Sequence, residues 1–92
     1  MYQIYITIIS FLNKDEYIFY RFGIRVNAVL PGFIATPMTE NIPDQVRELF
    51  MRRIPLQRTG KPQEVAEVIA FLASDKSSYV NGASIEVTGG MY

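Results

Sequence analysis

A helix that is apolar on almost every side constrains this chain more than any other feature of its sequence. In "KPQEVAEVIAFLAS", Glu67 is the only polar residue among positions 65–73, and Pro62 followed by Glu64 is typical of a helix start. Such a helix is buried on most sides, either in a larger core or against another subunit. A chain of 92 residues buries only about 60–65% of the surface that it exposes when unfolded. The sequence therefore predicts more apolar helix than this chain covers alone.

Two strand-like segments flank the helical part. In "GIRVNAVLPG", alternate positions of a predicted strand over 24–30 are apolar and share one face: Ile24, Val26, Ala28 and Leu30. Val29 adds an apolar group opposite, which is typical of a strand covered on both sides. In "ASIEVTGG", apolar and polar residues alternate over 84–88, which predicts a second strand. Because strands joined through helices pair in parallel, this order predicts an α/β layer structure with a parallel sheet.

Another helix is predicted to begin near Pro43. Proline is favoured at a first helical position, Asp44 lies towards the positive end of the helix dipole, and Arg52 and Arg53 lie at its negative end. The apolar residues that recur at helical spacing are Val46, Leu49, Phe50 and Ile54. We expect these four to form the buried stripe of the helix.

The first 20 residues differ in composition from the rest. Fourteen of them are Phe, Tyr, Met, Ile, Asn or Lys, whereas only 20 of the remaining 72 residues are. Since these six types have the most A/T-rich codons, the segment is consistent with sequence that did not evolve as protein. It is equally consistent with a strand over 5–11, because "YITIISF" is rich in β-branched and aromatic residues. The two interpretations are compatible.

Composition excludes several kinds of chemistry. The chain has no cysteine and no histidine, which excludes disulfides, thiolate or imidazole metal sites and a Ser-His-Asp triad. Nine basic residues balance nine acidic ones, so no overall field attracts nucleic acid. A local basic patch comprises Arg52, Arg53, Arg58 and Lys61. It either meets phosphates of a partner or, more simply, places cations at a helix C-terminus and in a solvated loop.

Nothing in the sequence predicts a membrane span or a targeting signal. No segment approaches the roughly 20 apolar residues that a spanning helix needs. Residues 1–17 lack the basic start and the small-residue cleavage site of a signal peptide.

Three segments together resemble the C-terminal part of the short-chain dehydrogenase/reductase family. They are "GIRVNAVLPGFIATPMT", "IPLQRTGKPQEVAEVIAFLAS" and "SSYVNGASIEVTGG", in the order and spacing of the family over residues 21–91. Within it, "VLPGFIATPMT" and "ASIEVTGG" are most similar to the 3-oxoacyl-acyl-carrier-protein reductases and to the estradiol 17-beta-dehydrogenase 8 group. This divides the chain into a divergent segment, 1–20, and the C-terminal part of a domain, 21–92.

The resemblance implies a fold, an assembly and a cofactor. The family has a doubly wound, parallel Rossmann-type sheet with helices on both faces, usually in a homotetramer, and it uses NAD or NADP. In that fold, 24–30 and 84–88 are the sixth and seventh strands. The loop after Pro31 then lies over the nicotinamide half of the cofactor.

Four residues match cofactor-binding positions of the family. Pro31 and Gly32 match the Pro-Gly turn at the end of the strand, and glycine allows backbone to approach a flat ring closely. Ile34 matches the position whose backbone meets the carboxamide of nicotinamide. Thr36 matches the position whose hydroxyl reaches the carboxamide or the pyrophosphate. Ligands in open α/β sheets lie beyond the carboxyl ends of strands, which agrees with this placement. The alternative is a plain turn with a surface hydroxyl.

The rest of the family's machinery is missing from the sequence. The glycines form no Gly-x-x-x-Gly-x-Gly cluster, the kind of turn whose backbone donors hold a pyrophosphate. No tyrosine is followed four residues later by a lysine, although a phenol needs a positive neighbour to act as an acid or base near neutral pH. Tyr17 with Arg21 is the nearest imitation, but its position does not match. Tyr79 is expected to pack with its hydroxyl in water. We assign no catalytic residue to this chain.

The leading hypothesis is therefore a segment of an NAD(P)-dependent oxidoreductase that acts on a 3-oxoacyl or steroid carbonyl. The chain as written is predicted to be inactive, and its own binding of NAD or NADP is doubtful. The alternative is a non-catalytic interaction module that associates with intact homologues through the apolar helix and the last strand. A third possibility is an independent small α/β domain. The resemblance places the protein in the mitochondrial matrix or in the cytoplasm.

Overall fold

A computed structural model describes residues 6–11 and 24–92. Its elements, in chain order, are strand β1 (Ile6–Phe11), strand β2 (Ile24–Pro31), helix α1 (Pro37–Glu40), helix α2 (Asp44–Arg52), helix α3 (Pro62–Ala73), a 3-10 helix (Asp75–Ser77) and strand β3 (Ser84–Val87). The three predicted strands and the two predicted helices are all present. Helix α1 and the 3-10 helix were not predicted. Tyr17 and Arg21 lie outside the described residues.

The three strands form one sheet in the order β1-β2-β3. Strands β2 and β3 pair in parallel, from Ala28 opposite Ser84 to Pro31 opposite Val87, which confirms the predicted parallel pair. Strand β1 pairs with the other edge of β2 and runs antiparallel to it. The described sheet is therefore mixed, with β2 at its centre.

Helix α3 covers one face of this sheet. Its contacts extend over all three strands, and the core lies beneath it, where Leu72, Val65 and Val29 are buried. Ile85 and Val87 of β3 pack against the same core. Pro62 begins the helix, as predicted, and Ser74 is its C-cap residue.

The opposite face of β2 is only partly covered by the described residues. Alternate residues of β2 are buried on the face under α3: Arg25, Asn27 and Val29 are 2%, 2% and 0% exposed. On the other face, Val26 is 38% exposed. The same face also carries Ile24, which is buried at 9% exposure, so the expectation that this strand is covered on both sides stays a prediction. Among the described helices, α3 packs on one face of the strand and none packs on the other.

The predicted stripe of α2 is also wrong in part. Ile54, which follows the helix, is buried, but Val46 is 38% and Leu49 60% exposed. No residue of α2 itself is buried. Its periodicity is helical, but α2 does not pack on the sheet. Phe50 meets protein through the ring of Phe33, while Val46 and Leu49 have no such cover.

The described helices are short. None of those within residues 6–11 and 24–92 combines the length and the apolar character that crossing a bilayer requires.

Candidate functional site

The four predicted cofactor-binding residues follow one another from the carboxyl end of β2. Pro31 is the last residue of the strand and lies opposite Val87, and the Gly32 N–H donates to the carbonyl of Val87 at 3.0 Å. Ile34 and Thr36 lie in the loop that leads into α1. Their segment, residues 31–36, is called the lip below. It occupies the position where open α/β sheets bind ligands.

Gly32 packs closely against Thr88, which gives a second reason for a glycine at this position. A Cβ atom at this position would lie 2.9 Å from Cα and 3.0 Å from Cβ of Thr88. The absence of a side chain therefore lets the lip pack directly on the end of β3. Any close approach of a ligand ring would be a second use of the same feature.

The tight contact of Gly32 makes a prediction about stability. Gly32→Ala is expected to lower the free energy of unfolding by about 2 kcal/mol, because the backbone of Thr88 cannot move aside easily. Gly60→Ala is the matched control: its close contact would be with Cδ1 of Ile34, the flexible end of a side chain, at 2.7 Å, while the Phe33 carbonyl oxygen lies 3.9 Å away. Chemical denaturation of both variants measures the difference. Equal losses would show that Thr88 is not the obstacle.

The middle of the lip is held by the segment that precedes α3. The Ala35 N–H donates to the carbonyl of Gly60 at 2.8 Å, and the Gly60 N–H donates to the carbonyl of Phe33 at 2.9 Å. Ile34 lies between these two bonds. In the described part of the chain, the Ile34 N–H donates to no backbone carbonyl.

The end of the lip is held by Thr39, a residue to which the sequence assigned no role. The Thr36 N–H donates to Oγ1 of Thr39 at 2.9 Å, and that hydroxyl lies 2.8 Å from the carbonyl oxygen of Ile34. Thr36 and Thr39 form a capping box at the start of α1, in which the Thr36 hydroxyl faces the Thr39 N–H as an acceptor, so its own proton is left for another partner. The lip thus offers a backbone donor and a hydroxyl, groups that suit a carboxamide with its one acceptor oxygen and two donor hydrogens.

Helix α2 supports the lip from one side. The rings of Phe33 and Phe50 stack with their centroids 4.7 Å apart, and the guanidinium of Arg47 lies 6.0 Å from the centroid of Phe33. Arg47 also donates to the carbonyl of Thr39 at 2.8 Å. These contacts join α2 to Phe33 within the lip and to Thr39 just beyond it. Thr39 lies on α1, whose four residues have too little periodicity to be seen in sequence. Arg47 lies on the predicted helix α2, but its contact with Thr39 depends on where α1 places that residue.

The described residues form a wall, and they do not enclose a cofactor. The cavity beside Ile34, bounded also by Phe33, Leu56, Gly60 and Thr88, holds about 200 Å³. Small-molecule pockets usually hold about 300–1,000 Å³. The cavity is therefore too small for a whole dinucleotide, and the described part of the chain has no glycine cluster to hold a pyrophosphate.

An ion pair stands at the start of α3, close to the lip. Arg58 donates two hydrogen bonds of 2.8 Å to the carboxylate of Glu64, and the Lys61 N–H donates to the same carboxylate at 2.9 Å. The bonds from Arg58, and then that from Lys61, lower the pKa of Glu64 from 4.5 to about 2. Arg58, one of the four basic-patch residues, is therefore occupied with Glu64.

The pKa of Glu64 sets the sign of a pH effect. Because the folded pKa of Glu64 is about 2 and its ordinary value is 4.5, the carboxylate stabilises the fold above pH 4.5 and loses this effect as the pH falls towards 2. Glu64→Gln should therefore be less stable than the wild type above pH 4.5. The difference in the free energy of unfolding should shrink as the pH falls from 4.5 towards 2. The pair is exposed, so the deficit should be small and should shrink in high salt. Carbon NMR titration of the Glu64 carboxylate is a second measurement. Its pKa should rise in Arg58→Met, and an unchanged pKa would show that Arg58 is not the cause of the shift.

The tyrosines of the described region provide no candidate proton donor. Tyr79 is fully exposed and Tyr92 is 73% exposed. The prediction that Tyr79 packs while its hydroxyl meets water is therefore wrong for the ring, which extends from the loop that precedes β3. No catalytic residue was predicted, and we assign none in the described region.

The chain resembles known oxidoreductases along most of its length. The sequence profile of a family described as enoyl-(acyl carrier protein) reductase matches residues 18–92. A 3-oxoacyl-[acyl-carrier-protein] reductase of Thermotoga maritima is 65% identical over 69 residues, which is 75% of this chain and 28% of that protein. A (3R)-3-hydroxyacyl-CoA dehydrogenase of Mus musculus is 56% identical over 72 residues, 78% of this chain and 28% of that protein.

A solved structure supports the same relationship. The crystal structure of a 3-oxoacyl-[acyl-carrier protein] reductase from Brucella melitensis superposes with a TM-score of 0.72 at 44% identity and covers 74% of this chain and 25% of that one. The chain belongs to the short-chain dehydrogenase/reductase family, as a part of its Rossmann-type α/β fold. It spans just over a quarter of the length of the curated relatives it matches.

Proposed function

We propose that residues 31–36 form the nicotinamide-facing wall of an NAD(P)-dependent oxidoreductase that acts on 3-oxoacyl thioesters. The observation that carries the proposal is the geometry of the lip: the Ile34 N–H has no backbone acceptor among the described residues, and Thr36 follows it two positions later at the start of α1. The printed names of the relatives, 3-oxoacyl-[acyl-carrier-protein] reductase and (3R)-3-hydroxyacyl-CoA dehydrogenase, supply the substrate class.

In this proposal the residues of the chain bind and orient. The Ile34 N–H donates to the carboxamide oxygen, and the Thr36 hydroxyl bonds to the same amide or to the pyrophosphate. Pro31 and Gly32 form the backbone surface beneath the ring. The bound NAD or NADP supplies the hydride chemistry. Residues 31–36 add no proton donor, so we propose that these 92 residues alone do not complete the reaction.

The first test identifies the native protein. An antibody against residues 84–92 captures it from its source, and peptide mass spectrometry reads its length. A longer species with a Tyr-x-x-x-Lys peptide upstream of Gly23 supports the proposal, and that species is the material for the kinetic assays. If "MYQIYITIISFLNK" is the only N-terminal peptide, the proposal of a complete oxidoreductase fails.

The second test addresses the lip itself. Thr36→Val removes the hydroxyl and keeps the shape of the side chain, so the KM for the reduced cofactor should rise about tenfold, the equivalent of one hydrogen bond. Thr36→Ser keeps the hydroxyl and should stay within about twofold. Consumption of NADH or NADPH with a 3-oxoacyl thioester measures both. If Thr36→Val behaves as the wild type does, Thr36 does not contact the cofactor.

A second candidate function is a non-catalytic interaction module that associates with an intact homologue. Two observations favour it: the face of β2 that includes Val26 is partly uncovered by the described residues, and Phe71 of α3 is 43% exposed. Size-exclusion chromatography of the 92-residue chain mixed with an intact relative tests it. Co-elution with reduced activity of the relative supports the module, and separate elution overturns it.

Assembly and location remain proposals of the same kind. We propose an oligomer formed through α3 and β3, because both present apolar or unpaired groups in the described part of the chain. The mitochondrial matrix and the cytoplasm are the two proposed locations, and cell fractionation followed with the same antibody distinguishes them.

A further inference from the structure

The hydroxyl of Thr39 connects the two lip residues that would contact the cofactor. We infer that Thr39 is a positioning residue for the nicotinamide site, held in turn by Arg47. The inference rests on the proposed function, because it concerns how the same lip is aimed. Thr39 itself need not touch the cofactor.

The geometry of Thr39 closes a small ring around the lip. Its Oγ1 accepts the Thr36 N–H at 2.9 Å and lies 2.8 Å from the carbonyl oxygen of Ile34 and 3.0 Å from that of Thr36. A hydroxyl has one proton and accepts at the same time, so it can donate to Ile34 while it accepts from Thr36. This fixes the peptide units on both sides of Ala35 relative to each other.

The hydrogen bonds of Thr39 also decide which backbone groups of the lip remain for a ligand. The Thr36 N–H is consumed by Thr39, so Thr36 can offer its hydroxyl but not its backbone donor. One lone pair of the Ile34 carbonyl is consumed too, while the Ile34 N–H keeps no backbone acceptor among the described residues. Without the Thr39 hydroxyl, the Thr36 N–H would need another acceptor, and the lip would turn to find one.

Arg47 holds Thr39 from the next helix. It donates to the Thr39 carbonyl at 2.8 Å, and its guanidinium stands 6.0 Å from the ring centroid of Phe33. Phe50, one turn further along α2, stacks on the same ring. Since no residue of α2 is buried, these contacts are the main way in which the helix meets the lip. Helix α2 therefore acts as a brace for the cofactor-facing segment.

The test compares variants that keep or remove the hydroxyl. Thr39→Val removes it with little change of shape, and the dissociation constant for NADH or NADPH of the longest native product should rise about tenfold. Thr39→Ser restores a hydroxyl and should bind within about twofold of the wild type. Titration of the protein fluorescence with each reduced cofactor measures binding, and thermal melting shows whether each variant is folded.

Two further measurements make the test specific. Hydrogen exchange of the Thr36 amide should be faster in Thr39→Val and not in Thr39→Ser, a change that loss of overall stability would spread over many amides. Arg47→Met should weaken cofactor binding as well, whereas Arg52→Met, an exposed position on the same helix, should not. If Thr39→Val does not fold, the Arg47 pair still decides the question.

The outcomes separate the inference from the proposed function. A wild type that binds neither reduced cofactor overturns the proposed function, and this inference with it. A wild type that binds while Thr39→Val and Arg47→Met bind equally well overturns the inference alone. Weaker binding in both Thr39→Val and Thr39→Ser also overturns it, because the hydroxyl would then not be the group that matters.

Discussion

Replacing Leu72 with alanine should lower the free energy of unfolding by about 3 kcal/mol, within the range of buried leucine truncations. Leu72 is fully buried and shares the core with Val29 and Val65. Its removal opens a cavity where α3 lies on the sheet, and the sheet beneath cannot move up to fill it. Chemical denaturation measures the change in the free energy of unfolding. An unchanged dependence of that free energy on denaturant concentration would show that the unfolded state is not altered.

Phe71 is the matched control for this experiment. It is the neighbour of Leu72 on α3 and the larger side chain, but it is 43% exposed. Phe71→Ala should therefore cost only about 1 kcal/mol, because much of the ring already meets water. A loss as large as that of Leu72→Ala would contradict this packing and would mean that Phe71 is covered in solution. Repeating both measurements at several protein concentrations would then show whether a second copy provides the cover.

The contrast between these two neighbours marks the limit of what the sequence could predict. Local periodicity and end signals were enough for β2, β3, α2 and α3, and the order of the elements was enough for the parallel pair. The family was predicted from the resemblance of three segments. The direction of each apolar face was not. On α3 every position from 65 to 73 except Glu67 is apolar, so no pattern distinguishes Phe71 from Leu72. Only the packing of the helix on the sheet decides which one is buried.

The lip shows the same division between local and tertiary information. Pro31, Gly32, Ile34 and Thr36 were predicted from a motif, and they do follow one another at the end of β2. Their role in cofactor binding remains a prediction. Thr39 and Arg47 could not be found this way, because their contacts depend on α1, a helix of only four residues. The tight packing of Gly32 against Thr88 joins positions that are 56 residues apart in sequence, so it too was invisible.

The sequence of β2 contains a further signal, two polar residues at alternate positions. Arg25 and Asn27 are polar residues that alternate inside an apolar strand, and both are buried. Strands that pair on both edges rarely bury such groups without partners. The Asn27 side chain accepts the Ala83 N–H at 2.9 Å and donates to the Val80 carbonyl at 3.1 Å. These bonds fasten the loop before β3 to β2, which explains why the buried face carries polar residues.

Replacing Arg25 with methionine should lower the free energy of unfolding by about 3 kcal/mol, since bonds from a charged donor contribute roughly 1.5–3 kcal/mol each. Its guanidinium donates to the carbonyls of Leu72 at 2.8 Å, Val80 at 3.0 Å and Ser74 at 3.2 Å. Two of these carbonyls belong to the end of α3, where the helix dipole favours a cation. Methionine fills much of the same space but offers no donor.

Two effects keep the expected loss below the sum of three such bonds. Burying a cation is itself costly, and the Arg25 Nε has no partner within the described residues, so part of the gain is offset. Two of the carbonyls also keep other donors after the change. The Ser77 hydroxyl donates to the Leu72 carbonyl at 2.9 Å, and the Asn27 side chain still donates to the Val80 carbonyl. A wild-type level of stability in Arg25→Met would mean that the desolvation cost cancels the hydrogen bonds.

Arg25→Lys separates the charge of this residue from its shape. Lysine keeps the positive charge at the end of α3, but its single ammonium cannot reach three carbonyls in the way that a planar guanidinium does. We expect it to lose about half as much stability as Arg25→Met. Because the contact is shielded from solvent, both losses should persist in salt of about 1 M, where the exposed pair of Arg58 and Glu64 is screened. A loss from Arg25→Met that disappears in salt would show that the guanidinium lies in water and not beneath the end of the helix.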